Sequence, residues 1–313
     1  MLSRTASELY WLSRYLERAE NMARMLEMTY SLALMPQDDS SRGLNELAAI
    51  LNTTRTVEAY HAQHGSLQAE KILHFLALDE HHPASIYYCL KHARTNAHAV
   101  RGRLTADMWE NLNAAWLGLD EIASEGLEAY GVSRFCEWVK VRSYLFQGAT
   151  YGSLMRGDTY SFLQLGCHLE RADNTLRLLV SRYELMYQTL HNIKASEHYQ
   201  WSALLKTLSA FEAYTEVYRD IPATAQVAEL LLLRADLPRS LSHCLGRVAH
   251  ILAALPKQNG LLAQRMASEM VARVRYTHID EVLANGLDQW LTEAIEHVNQ
   301  LAQAIQHSYW EGV

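Results

Sequence analysis

The chain reads YLERAENMAR at residues 15–24 and HLERADNTLR at residues 168–177. Leucine, glutamate, arginine, alanine, an acid and asparagine follow in the same order, with a second arginine three residues on. Around the first copy, Leu9, Leu12, Leu16, Ala19, Ala23 and Leu26 stand three and four residues apart, the stripe of an α-helix. Thr5 with Glu8 three residues later makes a capping box and predicts the start of that helix. Pro36 and the polar DDSSRG at 38–43 predict its end. Glycine and proline are scarce, 14 and 5 in 313 residues, and no stretch alternates with the period of a strand. The fold class is all-α.

The phrase is part of a longer repeat. Shifting the first half by 153 residues lays Thr5 on Asp158, both capping residues, and Leu12, Leu16, Glu17, Arg18 on Leu165, Leu169, Glu170, Arg171. The same shift lays Asn21 on Asn174 and Arg24 on Arg177, and Glu20 meets Asp173 with its charge kept. A shift of 154 lays Glu58-Ala59-Tyr60 on Glu212-Ala213-Tyr214, and a shift of 155 lays Pro83 on Pro238 and Cys89-Leu90 on Cys244-Leu245. Register that drifts by so little across separate segments points to a tandem duplication. The halves are expected at 1–150 and 151–313, joined between Gly131 and Asp158; the sequence leaves open separate domains or one continuous bundle, and the shared apolar face favours one helical body with pseudo-twofold symmetry. Each half offers a helix with the charged phrase, a helix ending in Glu-Ala-Tyr and a helix opened by proline, whose missing N–H suits a first turn. A further helix runs through Trp109 and Trp116.

A net charge of −7 without a basic stretch gives no support to a nucleic-acid partner. The opening MLSRTASELYW lacks the apolar run of a signal peptide. The most apolar run, LLLL at 230–233, falls far short of the ~20 residues that cross a bilayer. A cytoplasmic protein without a membrane partner is expected. Cys89, Cys136, Cys167 and Cys244 form no CxxC and read as buried thiols.

At about 100° per residue, Glu17, Asn21 and Arg24 share one side of their helix, with Glu20 beside them and Arg18 turned away. Glu170, Asn174, Arg177, Asp173 and Arg171 repeat the pattern. These ten side chains suit a structural network in which the acids accept from arginines and set helix register. The network is the favoured reading; the sharper alternative is a polar pocket between the halves for a zwitterion, arginine taking a carboxylate and glutamate an ammonium. Amino acids and peptide termini fit that chemistry. In a third use, Glu17 or Glu170 is a general base, which needs a raised pKa that neighbouring arginines oppose.

Glu58-x-x-His61 has the spacing of a carboxylate-bridged metal pair, but Glu212-x-x-Thr215 lacks the histidine; His81-His82 reads as a polar loop. Ser85 and Ser240 fall in first turns, which attract anions, although a plain helix start explains both. There is no GxxxxGK[ST], GxGxxG, GxSxG or HExxH. No metal or other cofactor is expected, and no step that activates ATP.

The paired LERAEN and LERADN phrases, the LYWLSRYLERAE opening and the HPASI and LPRSL helix starts resemble the alpha-E family over essentially the whole chain. That bacterial, all-helical group is named for a Glu-Arg motif, which falls on Glu17-Arg18 and Glu170-Arg171. The resemblance implies partnership with circularly permuted ATP-grasp proteins and transglutaminase-like proteins, in systems that make or modify peptides. The chain departs from the family at Gly166-Cys167-His168, where Gly-Arg-Tyr is more typical, so Arg14 has no counterpart at Cys167.

Overall fold

Sixteen α-helices and no strand are found among the described residues, which are 3–33, 42–189, 195–255 and 257–311 of a computed structural model. The chain is all-α. It divides into two compact units, Glu8–Gly166 and Cys167–Val313, the latter joined by the residues through Ser7.

The first unit follows the order α1 (Ser3–Ala33), α2 (Arg42–Thr54), α3 (Val57–His64), α4 (Ala69–Ala77), α5 (Ile86–Ala99), α6 (Ala106–Glu125), α7 (Leu127–Tyr130) and α8 (Val132–Ser153). Helix α9 (Asp158–Thr189) carries the division between the units. The second unit continues with α10 (Ala195–Thr207), α11 (Phe211–Tyr218), α12 (Thr224–Leu233), α13 (Leu241–Ala254), α14 (Lys257–Arg275), α15 (Ile279–Asn285) and α16 (Leu287–Gln306). Tyr10, Leu12, Tyr60, Phe75 and Phe135 lie in the core of the first unit; Trp201, Tyr214, Leu231 and Leu301 lie in that of the second.

The order recurs with matching lengths. Helices α1 and α9 have 31 and 32 residues, α2 and α10 have 13 each, α3 and α11 have 8 each, and α5 and α13 have 14 each. The left-handed backbone positions recur too: Arg55 with Ser209, Gly65 with Arg219, and Gly131 with Gly286, at shifts of 154 and 155. So does the cap that opens α5 and α13. Ser85 Oγ accepts from the Tyr88 amide and donates to the Asp79 carbonyl; Ser240 Oγ accepts from the His243 amide and donates to the Arg234 carbonyl. Each serine thereby satisfies an amide that the helix start leaves unpaired.

Several sequence-based boundaries move. Helix α1 already runs from Ser3, so Thr5 lies inside it and is not its cap. Pro36 and residues 38–41 of DDSSRG lie outside the described residues, while Arg42 and Gly43 belong to α2. Glu-Ala-Tyr opens α3 and α11 and does not close them. The buried tyrosine there reaches forward: Tyr60 donates to the Ser66 carbonyl and Tyr214 to the Ile221 carbonyl, pinning the following loops. Pro83 and Pro238 sit two residues before the capping serines, in the turns that approach the helices, and not at their first helical positions.

Candidate functional site

The first copy of the charged phrase is buried almost all round its helix. Leu12, Leu16, Ala19 and Leu26 are buried, and so are Glu17, Glu20, Asn21 and Arg24 on the other side. A carboxylate taken wholly out of water needs charged and hydrogen-bonding partners to remain ionised. Helix α8 supplies part of them. Glu20, 0 % exposed, accepts from Ser143 Oγ at 2.6 Å and Gln147 Nε2 at 3.1 Å on one oxygen, and from Arg24 Nε at 2.9 Å on the other. Gln147 Nε2 also reaches Glu17 at 3.4 Å. Arg24 donates outward to the Tyr144 hydroxyl at 2.6 Å. One turn further along α1, Lys140 bonds Glu27 at 2.8 Å and Glu137 at 2.6 Å.

Partner numbers on α8 fall as those on α1 rise, so the two helices run antiparallel along a polar ladder. Cys136 ends it: burial, with the nearby Glu27 carboxylate, pushes its thiol up to about 12, so it is an inert thiol at neutral pH. Arg18 lies apart from the ladder, its guanidinium 5.8 Å from the Tyr15 ring, in an aromatic group with Tyr88 and His92.

The second copy is more open. Glu170 is buried, but Arg171, Asp173, Asn174 and Arg177 are only partly so. Arg177 Nε bonds Asp173 Oδ2 at 2.7 Å. The other carboxylate oxygen, Asp173 Oδ1, is buried with no hydrogen-bond partner among the described residues. Thr175 beside it donates to the Arg239 carbonyl at 2.8 Å, tying α9 to the approach to α13.

The contrast traces to the last helices of the two units. Gly131 and Gly286, both at positive φ, precede α8 and α16 and set them in register. In that register Cys136, Lys140, Ser143 and Gln147 correspond to Leu291, Ile295, Val298 and Ala302, all buried and apolar. The donors that answer Glu20 therefore have no equivalents on α16.

Sequence reading named the acids and arginines but missed Ser143, Gln147, Tyr144 and Lys140, which complete the first-copy network. The signal was present as polar residues at three- and four-residue spacing, Cys136, Lys140, Ser143 and Gln147. Glu58 and His61 do not form a metal centre. Both are exposed, and the His61 ring bonds the Gly65 carbonyl at the end of α3. Among the described residues no three histidine, cysteine or acidic side chains are placed to hold a metal ion. All four cysteines are buried and none is in a disulfide. Ser85 and Ser240 are consumed as caps. No described helix is long and apolar enough to cross a membrane.

The model of a family described as a predicted alpha-helical domain with a conserved ER motif, Alpha-E, matches residues 1–310. The chain belongs to the Alpha-E family. Its Glu-Arg pairs at 17–18 and 170–171 both lie within the matched region. Similar proteins are uncharacterized ones from Mycobacterium bovis and from two strains of Mycobacterium tuberculosis, each 30 % identical over 95 % of this chain. This Alpha-E chain spans only 35 % of the length of those relatives. No solved structure matches it.

Proposed function

We infer that this Alpha-E chain is a helical partner module of an amide- or peptide-forming system, in which a separate ATP-grasp-type enzyme activates the substrate. The observation that carries this reading is the state of Glu20. Both carboxylate oxygens are taken by protein donors and no water reaches them, so the most buried acid of the motif is a structural clip and not a base awaiting a proton. The lack of a phosphate-binding loop in the sequence agrees. So does the length of the relatives, in which the region equivalent to this chain is one part of a longer polypeptide.

The ligand-binding role of the phrase falls to its second copy. The buried Asp173 Oδ1 is an acceptor without a donor, and an ammonium supplies one. The partly exposed Arg177, on the same side of α9 and bonded to Asp173 Oδ2, offers a carboxylate the complementary charge. That is the chemistry of an amino acid or a peptide terminus. The internal duplication accounts for the arrangement: one copy is retained for architecture and its twin is left open.

The test has two parts. Tagged protein recovered from its native host brings down an ATP-grasp enzyme, and Asp173→Asn keeps the fold while weakening amide formation in the reconstituted pair. Enzyme-like ATP hydrolysis by the purified chain alone overturns the reading, as does wild-type amide formation by the Asp173→Asn variant.

A further inference from the structure

The outer face of α8 is built unlike a surface. Val141, Tyr144, Leu145, Gly148 and Tyr151 recur at helical spacing on its exposed side, and Met155 follows just past its end. Tyr144 is 48 % exposed, Tyr151 59 % and Met155 86 %. An ordinary surface helix is apolar inward and polar outward. Helix α16 obeys that rule: the positions matching Val141, Tyr144, Leu145, Gly148 and Tyr151 are Glu296, Asn299, Gln300, Gln303 and Gln306. The apolar face of α8 is thus not a property of the architecture.

The glycines on this face point the same way. Glycine inside a helix is destabilising relative to alanine unless something needs the space. At Gly118 and Gly166 something does: Trp138 crowds the first at 3.1 Å and the Tyr10 carbonyl the second. At Gly148 and Gly152, one turn apart on α8, a Cβ would meet nothing within 4 Å. The chain itself leaves that close-approach groove uncovered.

Charge says what covers it. Helix α6 packs beside α8, Gly118 against Trp138. From Leu104 to Ser133 there is no lysine, arginine or histidine. The same span carries Asp107, Glu110, Asp120, Glu121, Glu125 and Glu128, all exposed, with the exposed Leu117 among them. Of the bases around α8, Lys140 bonds Glu27 and Glu137 and Arg24 bonds Glu20, while the guanidiniums of Arg134, Arg142 and Arg156 lie over the rings of Tyr130, Trp138 and Tyr151.

We propose that the exposed face of α8, with the acidic ridge of α6 beside it, is the docking seam for an amphipathic helix of a partner protein. That helix has apolar residues at three- and four-residue spacing and lysines or arginines along the flank that faces α6. An anionic membrane is repelled by the same ridge. A second copy of this chain, pairing face to face, brings six acids against six, and Arg134, Arg142 and Arg156 beside them are too few to balance that charge. The proposal rests on reading the chain as a partner module and locates where the partner sits.

The probes are two synthetic helical peptides, each about three heptads long with leucine at the a and d positions, one flanked by lysine and one by glutamate. Titrated against the full chain, the lysine peptide binds at least about tenfold tighter than the glutamate peptide. Gly148→Leu fills the groove and Met155→Lys adds repulsion at its end; each weakens the lysine peptide about tenfold or more, with circular dichroism unchanged and melting no lower than that of the parent chain. Equal affinity for the two peptides, no binding of either, or indifference to both substitutions overturns the seam. So does a concentration-dependent dimer that Gly148→Leu abolishes, which assigns the face to a second copy. Because the peptides are synthetic, their failure removes the seam while copurification of the ATP-grasp enzyme still supports the partner reading; the converse result removes the reading and leaves the seam.

Discussion

Helices α8 and α16 occupy the same place in the order of their units; both bury an apolar stripe, in α8 Val132, Phe135, Val139 and Phe146, but they differ in the faces on either side of it. Helix α16 buries Leu291, Ile295, Val298 and Ala302 and shows Glu296, Gln300 and Gln303 to water. Helix α8 buries Cys136, Ser143 and part of Lys140 and Gln147, and shows Val141, Tyr144, Leu145 and Tyr151. What each buries decides what its unit can do with the charged phrase. A polar inner face lets α1 hold Glu20 in a closed network, whereas Arg177 bonds Asp173 Oδ2 and no described donor reaches Oδ1. One scaffold thus supports two different electrostatic environments.

The largest effect that tests this contrast is the loss of one acid from each copy. Glu20→Ala takes the carboxylate away from the buried Arg24 and Ser143 and from Gln147, and urea unfolding should show a loss of about 3–5 kcal/mol. Asp173→Ala removes a partly exposed pair, and the same measurement should show a loss of about 1 kcal/mol or less. Equal costs would erase the distinction between the copies.

Acid provides the next contrast. His82, stacked on Phe75 at 4.0 Å, is held neutral by burial, its pKa lowered to about 4 although Asp79 pulls the other way. Its counterpart in the second unit is Leu237, which cannot titrate. Between the ordinary histidine value and about 4 the unfolded chain binds a proton that the folded chain refuses. Stability present above that window is therefore lost as pH falls through it, by up to about 3 kcal/mol. His82→Leu should flatten the unfolding free energy between neutral and mildly acidic pH; an unchanged slope would show that the histidine takes up its proton in the folded state.

Exchanging inner faces is a smaller step. Val298→Ser, which writes one α8 residue into α16, should cost about 1–3 kcal/mol by thermal unfolding, since a hydroxyl replaces packed methyls. The smallest effect has the opposite sign. Gly148→Ala should raise stability by about 0.5–1 kcal/mol, because the helix gains a better former and the new methyl meets nothing. Gly166→Ala, directed at the Tyr10 carbonyl, should lower it.

The helical class was legible because leucines stand at three- and four-residue spacing, and Glu58-Ala59-Tyr60 and Glu212-Ala213-Tyr214, matched in the sequence, both fall at the start of eight-residue helices. Caps were legible in type but misplaced by a few residues. Serine and proline both mark helix starts, and only the fold shows that Ser85 caps while Pro83 approaches. The acids of the site could be named from their order. Their partners could not, because α8 has apolar residues on two sides, Val132, Phe135, Val139 and Phe146 inward and Val141, Tyr144, Leu145 and Tyr151 outward, and periodicity alone does not tell which neighbour its polar stripe meets. Here the polar stripe with Ser143 and Gln147 meets the acids, and the outer apolar side is left in water.

Tyr144 belongs to both stripes at once. Its ring lies among the outward-facing apolar side chains, while its phenol oxygen is the last link in the chain of bonds that starts at Glu20 and passes through Arg24. A molecule that settles on that ring shields the oxygen from competing water and so firms the grip on the guanidinium beneath. The phenol oxygen and the ring thus answer to different neighbours, so Tyr144→Phe would keep the outer apolar face and remove one acceptor from Arg24.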